Sequence, residues 1–408
     1  MTSTDNRRPV GSGWLVCLML VTFVIGTDDF IIAGILPEIA EDLRVSEAAA
    51  GQLVTVFSLT YAVAAPPLAV AMAKVPRKFL VVGGLVAFVM VNLVTVIAPN
   101  YASLMMLRVV AALIAASISP AVFGMAARLA PPDRVGRSLG VVAAGLTISL
   151  FLGVPIGSLL STAFGWRSTF LAVALFTVVV LLMSALMLPK LTGAPEIGVR
   201  AQLRILSRPA VLSCVLGTVM GASGGLLIYT YISPITADIS GYSGTLLAVF
   251  IAVVGLAGAI GTFVGGRLTD RWGADRALLR AFGVMAAAII ALAGIGILSD
   301  GTAPAWVVAI ALAAYGFAGW GFNPPMNARV LQLAGDAGTE AIALNTSALY
   351  VGISIAGALG GAAVAAHSGV GAAVVGAGIS LITLLTMMVL VGKFPSDHQL
   401  QPRMTRTQ

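Results

Sequence analysis

The chain has 408 residues, 59% of them hydrophobic and only 10% charged, and its mean hydropathy is +1.03. So few charges cannot cover the surface of a water-soluble fold of this length, which excludes a soluble enzyme and points to a multi-pass membrane protein. The net charge of +7 is then a matter of which side of the membrane each basic residue occupies, and it calls for no nucleic-acid partner.

Apolar runs of spanning length recur near 14–36, 48–72, 79–98, 102–128, 138–162, 167–189, 210–235, 244–267, 276–298, 304–328, 340–366 and 369–391. They are too long and too apolar for barrel strands, and only helices satisfy that much backbone in lipid. The fold class is therefore all-α with twelve transmembrane helices. Residues 1–13 and 392–408 read as polar tails. Residues 190–209, with Pro, Gly and basic side chains, read as a linker between two six-helix bundles, 14–189 and 210–391.

Span 1 contains "VIGTDDFIIAGIL", with Asp28 and Asp29 inside the apolar run. Each carboxylate costs about 2.5–3.5 kcal/mol at a helix centre on insertion scales, so both read as functional. At helical spacing Asp29 shares a small, polar face with Thr22, Gly26, Ala33 and Pro37. Asp28 shares a bulky face with Val21, Ile25, Ile32 and Ile35. Asp29 is thus expected to face the bundle interior. Span 2 carries Pro66 and Pro67, which suggest a kink. Span 4 carries Arg108, seven residues after Tyr101; Asp29 lies seven residues before Leu36. Both should sit about 10 Å below the outer surface, and an acid and an arginine at matching depth are expected to pair. Such a pair can exchange protons, or it can serve only to hold spans 1 and 4 together. Asp28 is left to tune Asp29, to bind cationic cargo or to pack.

Span 5 holds Gly145, Gly153, Pro155 and Gly157, a bent and closely packing helix. In the later spans Tyr229, Tyr231, Trp320, Asn323, Asn327, Asn345 and Tyr350 are candidates to line a cavity, or to bond between helices. After span 8 the turn "GGRLTDRWGADRALL" sets Gly266, Asp270, Arg271, Gly273 and Arg276 in a repeating pattern. Asp270 is positioned to accept from backbone donors or to pair with Arg271 or Arg276. The turn after span 2 reads as its degenerate copy, offset by 197 residues, with Ala73 for Asp270 and Pro76 for Gly273. Pro324 and Pro325 suggest a second kink in span 10.

Of the 23 Lys and Arg residues, Arg44 and Arg167 fall on one side of this topology and Arg108 within a span; all the rest fall on the side of the termini. The positive-inside rule places both termini in the cytoplasm. Cys17 and Cys214 lie in apolar spans and suit neither a disulfide framework nor a metal site. There is no P-loop and no catalytic constellation. No cofactor is expected, and an ion gradient, with protons favoured, is the energy source.

The turn after span 8 resembles the loop motif of the major facilitator superfamily. "LMMLRVVAAL" around Arg108 is similar to the span-4 arginine motif of that superfamily's proton-coupled exporters, and "GLTISLFLGVPIGSLL" resembles their antiporter motif. "GTDDFIIAGILPEIAEDL" is similar to the first span of the twelve-span drug:proton antiporter branch, where chloramphenicol-resistance and arabinose- or purine-efflux-like exporters usually read G-T-x-E-F. The resemblance implies a proton-coupled exporter of small amphiphilic or drug-like molecules. It would work by alternating access as a monomer in a bacterial inner membrane, with Asp29, Asp28 and Arg108 at the coupling site. The loop and span-5 motifs would serve as conformational elements. Export of sugars, nucleosides or purines, and a membrane sensor without solute flux, are the alternatives. The sequence departs from the pattern at Ala73 and Pro76, which weakens a gating salt bridge in the first half, and at Asp28, a position often uncharged in that subgroup.

Overall fold

The computed structural model describes residues 13–131, 135–193, 204–242 and 244–396, so both tails and most of the inter-bundle linker lie outside the described residues. Among the described residues eleven helices are long and apolar enough to cross a membrane. The last, Ala341–Lys393, is long enough at about 1.5 Å per residue to do so twice. It is broken at His367 and Ser368, whose backbone is non-helical, and this yields spans 11 and 12.

Several spans are discontinuous, and prolines account for it. Span 1 runs Gly13–Phe30 and resumes as Ile32–Asp42, with a further non-helical residue at Ile35. Pro37 has no N–H for the Ala33 carbonyl, and its ring crowds that carbonyl. Span 7 repeats the device: Pro209–Thr230 and Ile232–Ser240 flank Tyr231, and Pro234 cannot donate to Thr230. Pro234 lies 197 residues after Pro37, the offset of the loop motifs. Span 10 is interrupted at Phe322, with Pro324 and Pro325 in the first turn of Asn323–Ala334, where missing donors are tolerated. Span 2, Glu47–Ala71, behaves differently. Its backbone remains helical through Pro66 and Pro67, so the helix carries both prolines without interruption.

Span 5 comprises Val135–Ile148, a π-helical turn Ser149–Gly153, and Val154–Phe164. Its glycines fit it against span 1. A Cβ on Gly145 would overlap the Met19 carbonyl and Thr22 Oγ1, one on Gly153 would overlap Thr27, and one on Gly157 would overlap Ile31. The same span meets span 8 (Thr245–Trp272) of the other half, where a Cβ on Gly255 would lie 2.6 Å from the Phe151 backbone.

The halves also join along spans 2 and 11. Gln52 Nε2 donates across to the Gly357 carbonyl (3.2 Å), which also accepts from the Tyr231 hydroxyl of its own half (2.7 Å). These contacts lie toward the face opposite the chain termini. On that distal face Asp42 accepts from Trp166 Nε1 (3.0 Å) and Arg167 Nη1 (2.5 Å), which ties span 1 to span 6. The Arg167 hydrogen bond, then that of Trp166, holds the Asp42 carboxyl below its ordinary value.

Gly145→Val should destabilise the fold by about 1–3 kcal/mol through overpacking, read from unfolding in detergent. Gly140→Val on the same span, with nothing within 4 Å of its Cβ, should be silent.

Candidate functional site

Asp28 and Asp29 end the straight part of span 1, just before its break. Both are 1% exposed, as is Arg108. The two acids part company from there. Arg108 Nη1 donates to Asp28 Oδ2 at 2.8 Å, and the guanidinium lies over the Phe57 ring, 4.4 Å from its centroid. Span 4 (Tyr101–Leu129) approaches closely because the face below Arg108 is Ala111, Ala112 and Ala115. Asn92 of span 3 adjoins Asp28, its Nδ2 bound to the Phe88 carbonyl.

The expected Asp29–Arg108 pair is therefore not formed; Arg108 is held by Asp28. The bulky apolar face of Asp28 turns toward other helices of the bundle. In this bundle Val21 and Ile25, which share that face, are themselves buried among neighbouring spans.

Asp29 points elsewhere. Neither of its carboxylate oxygens makes a hydrogen bond of full geometry among the described residues, although the Tyr350 hydroxyl lies beside it. Tyr61, Tyr229 and Tyr350 stand within electrostatic reach of it. These rings belong to a cluster drawn from both halves. Tyr61 of span 2 stacks on Tyr350 of span 11 with centroids 3.9 Å apart. Phe30 of span 1 meets Tyr229 of span 7 edge-on at 5.8 Å. Tyr229 meets Trp320 of span 10 at 5.6 Å, and Trp320 meets Tyr315 at 6.2 Å. The Tyr229 hydroxyl is buried and unpartnered.

The remaining candidates divide. Tyr231 is not part of this cluster: it fills the distal seam against Gly51, Gly360 and Gly361. Asn323 Nδ2 donates to the Trp320 carbonyl (3.3 Å). Asn345 accepts from Thr218 (2.6 Å) and donates to Asn327 (3.1 Å), an interhelical chain within the second half.

In the turn after span 8, Gly273 adopts φ +81°, which explains the glycine. Asp270, Arg271 and Arg276 are exposed, and the contact expected of Asp270 with Arg271 or Arg276 is not present. The buried acid of that turn is Asp275. It pairs with Arg329 of span 10 and accepts from the Ser396 backbone N–H (2.8 Å) and hydroxyl (2.8 Å). Arg329 Nη2 also donates to the Phe394 carbonyl (2.5 Å). Sequence reasoning missed this pair because Arg329 counted only toward topology. It missed Tyr61 and Phe30 because single aromatics in apolar runs carry no signal.

Residues 18–339 match the family profile described as "Major Facilitator Superfamily". The chain is 30% identical over 344 residues to "Uncharacterized MFS-type transporter YbcL" of Bacillus subtilis, covering 84% of this chain and 87% of that one. It is 31% identical over 386 residues to "Inner membrane transport protein YdhP" of Escherichia coli K12, covering 93% and 96%. Among solved structures, a bacterial homolog to the human lysosomal transporter Spinster, inward-facing and unoccupied, superimposes with TM-score 0.66 at 18% identity over 96% of this chain and 98% of that one. A POT family transporter in complex with 5-aminolevulinic acid does so with TM-score 0.73 at 11% identity over 93% and 96%. At these identities the two structures speak to the fold alone.

Removing one partner of the buried pair strands the other charge, so Arg108→Gln should cost about 3–5 kcal/mol. Asp28→Asn in the same chain should recover much of that loss. A double-mutant cycle read by detergent unfolding should show coupling for Asp28 with Arg108 well above that for Asp29 with Arg108.

Proposed function

The chain belongs to the Major Facilitator Superfamily, and on that premise we propose that it is a proton-coupled secondary transporter that exports small amphiphilic or drug-like molecules by alternating access. The observation that carries this reading is Asp29, a buried carboxylate at the junction of the two halves that stands outside the Asp28–Arg108 ion pair, with the Tyr350 hydroxyl beside it.

Asp28 takes the Nη1 hydrogen bond of Arg108, whose Nε and Nη2 stay unpartnered, so Asp29 is the acid outside the ion pair and the one left to exchange a proton. An unpaired anion is costly to keep from water, which suits Asp29 to be neutral while enclosed and to ionise when the halves part and water enters. Tyr61–Tyr350 and Phe30–Tyr229 bridge the halves beside it, so relative motion of the halves alters its surroundings directly.

The glycine contacts of span 5 support its role as the element on which the halves rock, since it packs closely on span 1 and on span 8. Asp270, Arg271 and Arg276, exposed here, are available to latch a second conformation once the terminal face closes. The excess of basic residues on that face supports a cytoplasmic location for both termini. Relatives named as inner-membrane transporters support a bacterial cytoplasmic membrane, where the chain acts as a monomer driven by the proton gradient. The outward direction rests on the resemblance of span 5 to exporter motifs.

Reconstituted protein under an imposed proton gradient, assayed with ethidium, chloramphenicol, arabinose and adenine, tests this. Asp29→Asn should lose at least about tenfold of gradient-driven flux, equivalent to about 1.4 kcal/mol or more, while retaining the wild-type unfolding midpoint. Full gradient-driven flux in that variant overturns the assignment of Asp29. Flux of arabinose or adenine alone would transfer the reading to sugars or purines, and no flux of any compound would favour a sensor.

A further inference from the structure

We infer that Tyr231 is the bolt of the distal face: its ring, seated in a socket of glycines shared by both halves, holds the face opposite the termini shut, and that face opens only when the ring withdraws. The inference rests on the alternating-access reading above, but it concerns a residue outside the Asp29 cluster and a motion that needs no cargo.

The socket is drawn from spans 2 and 11. Tyr231 is 0% exposed. A Cβ on Gly51 of span 2 would overlap its hydroxyl and ring. One on Gly360 of span 11 would lie 2.5 Å from two ring carbons, and one on Gly361 would lie 2.7 Å from the hydroxyl. A tyrosine ring is rigid and cannot bend aside as a long flexible side chain can, so a methyl at any of these positions displaces it. The Tyr231 hydroxyl donates to the Gly357 carbonyl (2.7 Å), which also accepts from Gln52 of the first half (3.2 Å). One acceptor thus joins span 2, span 11 and the ring.

The break in span 7 puts the ring there. Pro234 leaves the Thr230 carbonyl without its helical donor, and Tyr231 takes up φ −107°, ψ 26°. The repeat shows that the seat belongs to one half alone. The counterpart of Tyr231, 197 residues earlier, is Gly34. A Cβ there would already press on Ile251, Val154 and Ser158 at 3.2–3.3 Å. The seam of span 1 with spans 5 and 8 therefore closes by surfaces that meet, with no ring to extract. The two seams of the distal face are unequal, and Tyr231 bolts one of them.

Its depth gives the bolt a consequence. Gly51 precedes Tyr61 by ten residues on span 2, and Gly360 follows Tyr350 by ten on span 11. Each spacing is about 15 Å at the helical rise. The seated ring thus stands about 15 Å distal to the Tyr61–Tyr350 stack, between the distal medium and Asp29. While it is seated, water and protons from that side do not reach the acid through this seam.

The test is a distance measurement across the distal face, made without substrate or gradient. Spin labels are placed at Pro99→Cys and Thr302→Cys, exposed positions in the turns before spans 4 and 10. The purified full-length protein also carries Cys17→Ala and Cys214→Ala, and double electron–electron resonance reads the separation. Tyr231→Ala should raise the ratio of long to short distances at least about tenfold. Tyr231→Phe, which loses the bond to Gly357 but keeps the ring, should raise it about threefold. Gly360→Ala, which keeps the tyrosine but fills its seat, should shift the ratio in the same direction as Tyr231→Ala. Gly378→Ala on span 12, with nothing within 4 Å of its Cβ, should leave it unchanged. If Tyr231→Ala does not fold, Gly360→Ala and Tyr231→Phe carry the test. Variants that lower the unfolding midpoint but leave the distances unchanged show a packing role alone and overturn the inference. The flux assay separates the two readings. Flux that depends on Asp29, with distances indifferent to the Tyr231 and Gly360 variants, sinks the bolt and keeps the transporter. Distances that shift as expected, in a chain that carries no compound, keep the bolt and sink the transporter.

Discussion

The arrangement turns on one ion pair. Arg108 reaches Asp28 and, in doing so, leaves Asp29 outside the ion pair, with Tyr350 beside it. A buried arginine and a buried acid each need the other, because an isolated charge is costly away from water. Two acids sharing one arginine cannot both be satisfied in the same way. The geometry resolves the competition in favour of the acid facing spans 3 and 4. The surplus acid faces the rings at the junction of the halves, where charge is least comfortable and most easily changed by motion.

That junction is built to be close without being fused. Glycines let span 5 lie backbone to side chain on span 1 and on span 8. Such contacts depend on shape and dispersion, which is what holds helices together when lipid removes the hydrophobic drive between them. Spans 1 and 7 each break ahead of a proline at equivalent positions of the repeat. Their distal segments therefore pack at the seam on their own terms, independent of the long helices that carry the site. Tyr231, placed at the second break, shows the result: its hydroxyl crosses to the Gly357 carbonyl rather than into the ring cluster.

A second buried pair, Asp275 with Arg329, stabilises the opposite end of the second half. Arg329 is 0% exposed, and the chain after span 12 folds onto the pair through Phe394 and Ser396. This pair has the satisfied partners that Asp29 lacks, since Asp275 accepts from three donors. The contrast separates a structural acid from a chemically available one more clearly than burial does, because both are buried.

The sequence by itself determined the number of the spans, the superfamily, and the presence of costly charges in spans 1 and 4, and it set the expectation for their sidedness. Each of these follows from local quantities: hydropathy over a window, the position of basic residues, a spaced motif. The break at His367–Ser368 falls where spans 11 and 12 were expected to part, because so long an apolar run must turn to remain in a bilayer. Which aspartate meets Arg108, where Tyr231 goes, and that Tyr61 and Phe30 join the site were decided only in the tertiary structure. Those outcomes depend on how helices rotate and approach one another. In a membrane bundle an apolar face is as ready to meet another helix as lipid, so the side-chain pattern of a single span cannot distinguish the two.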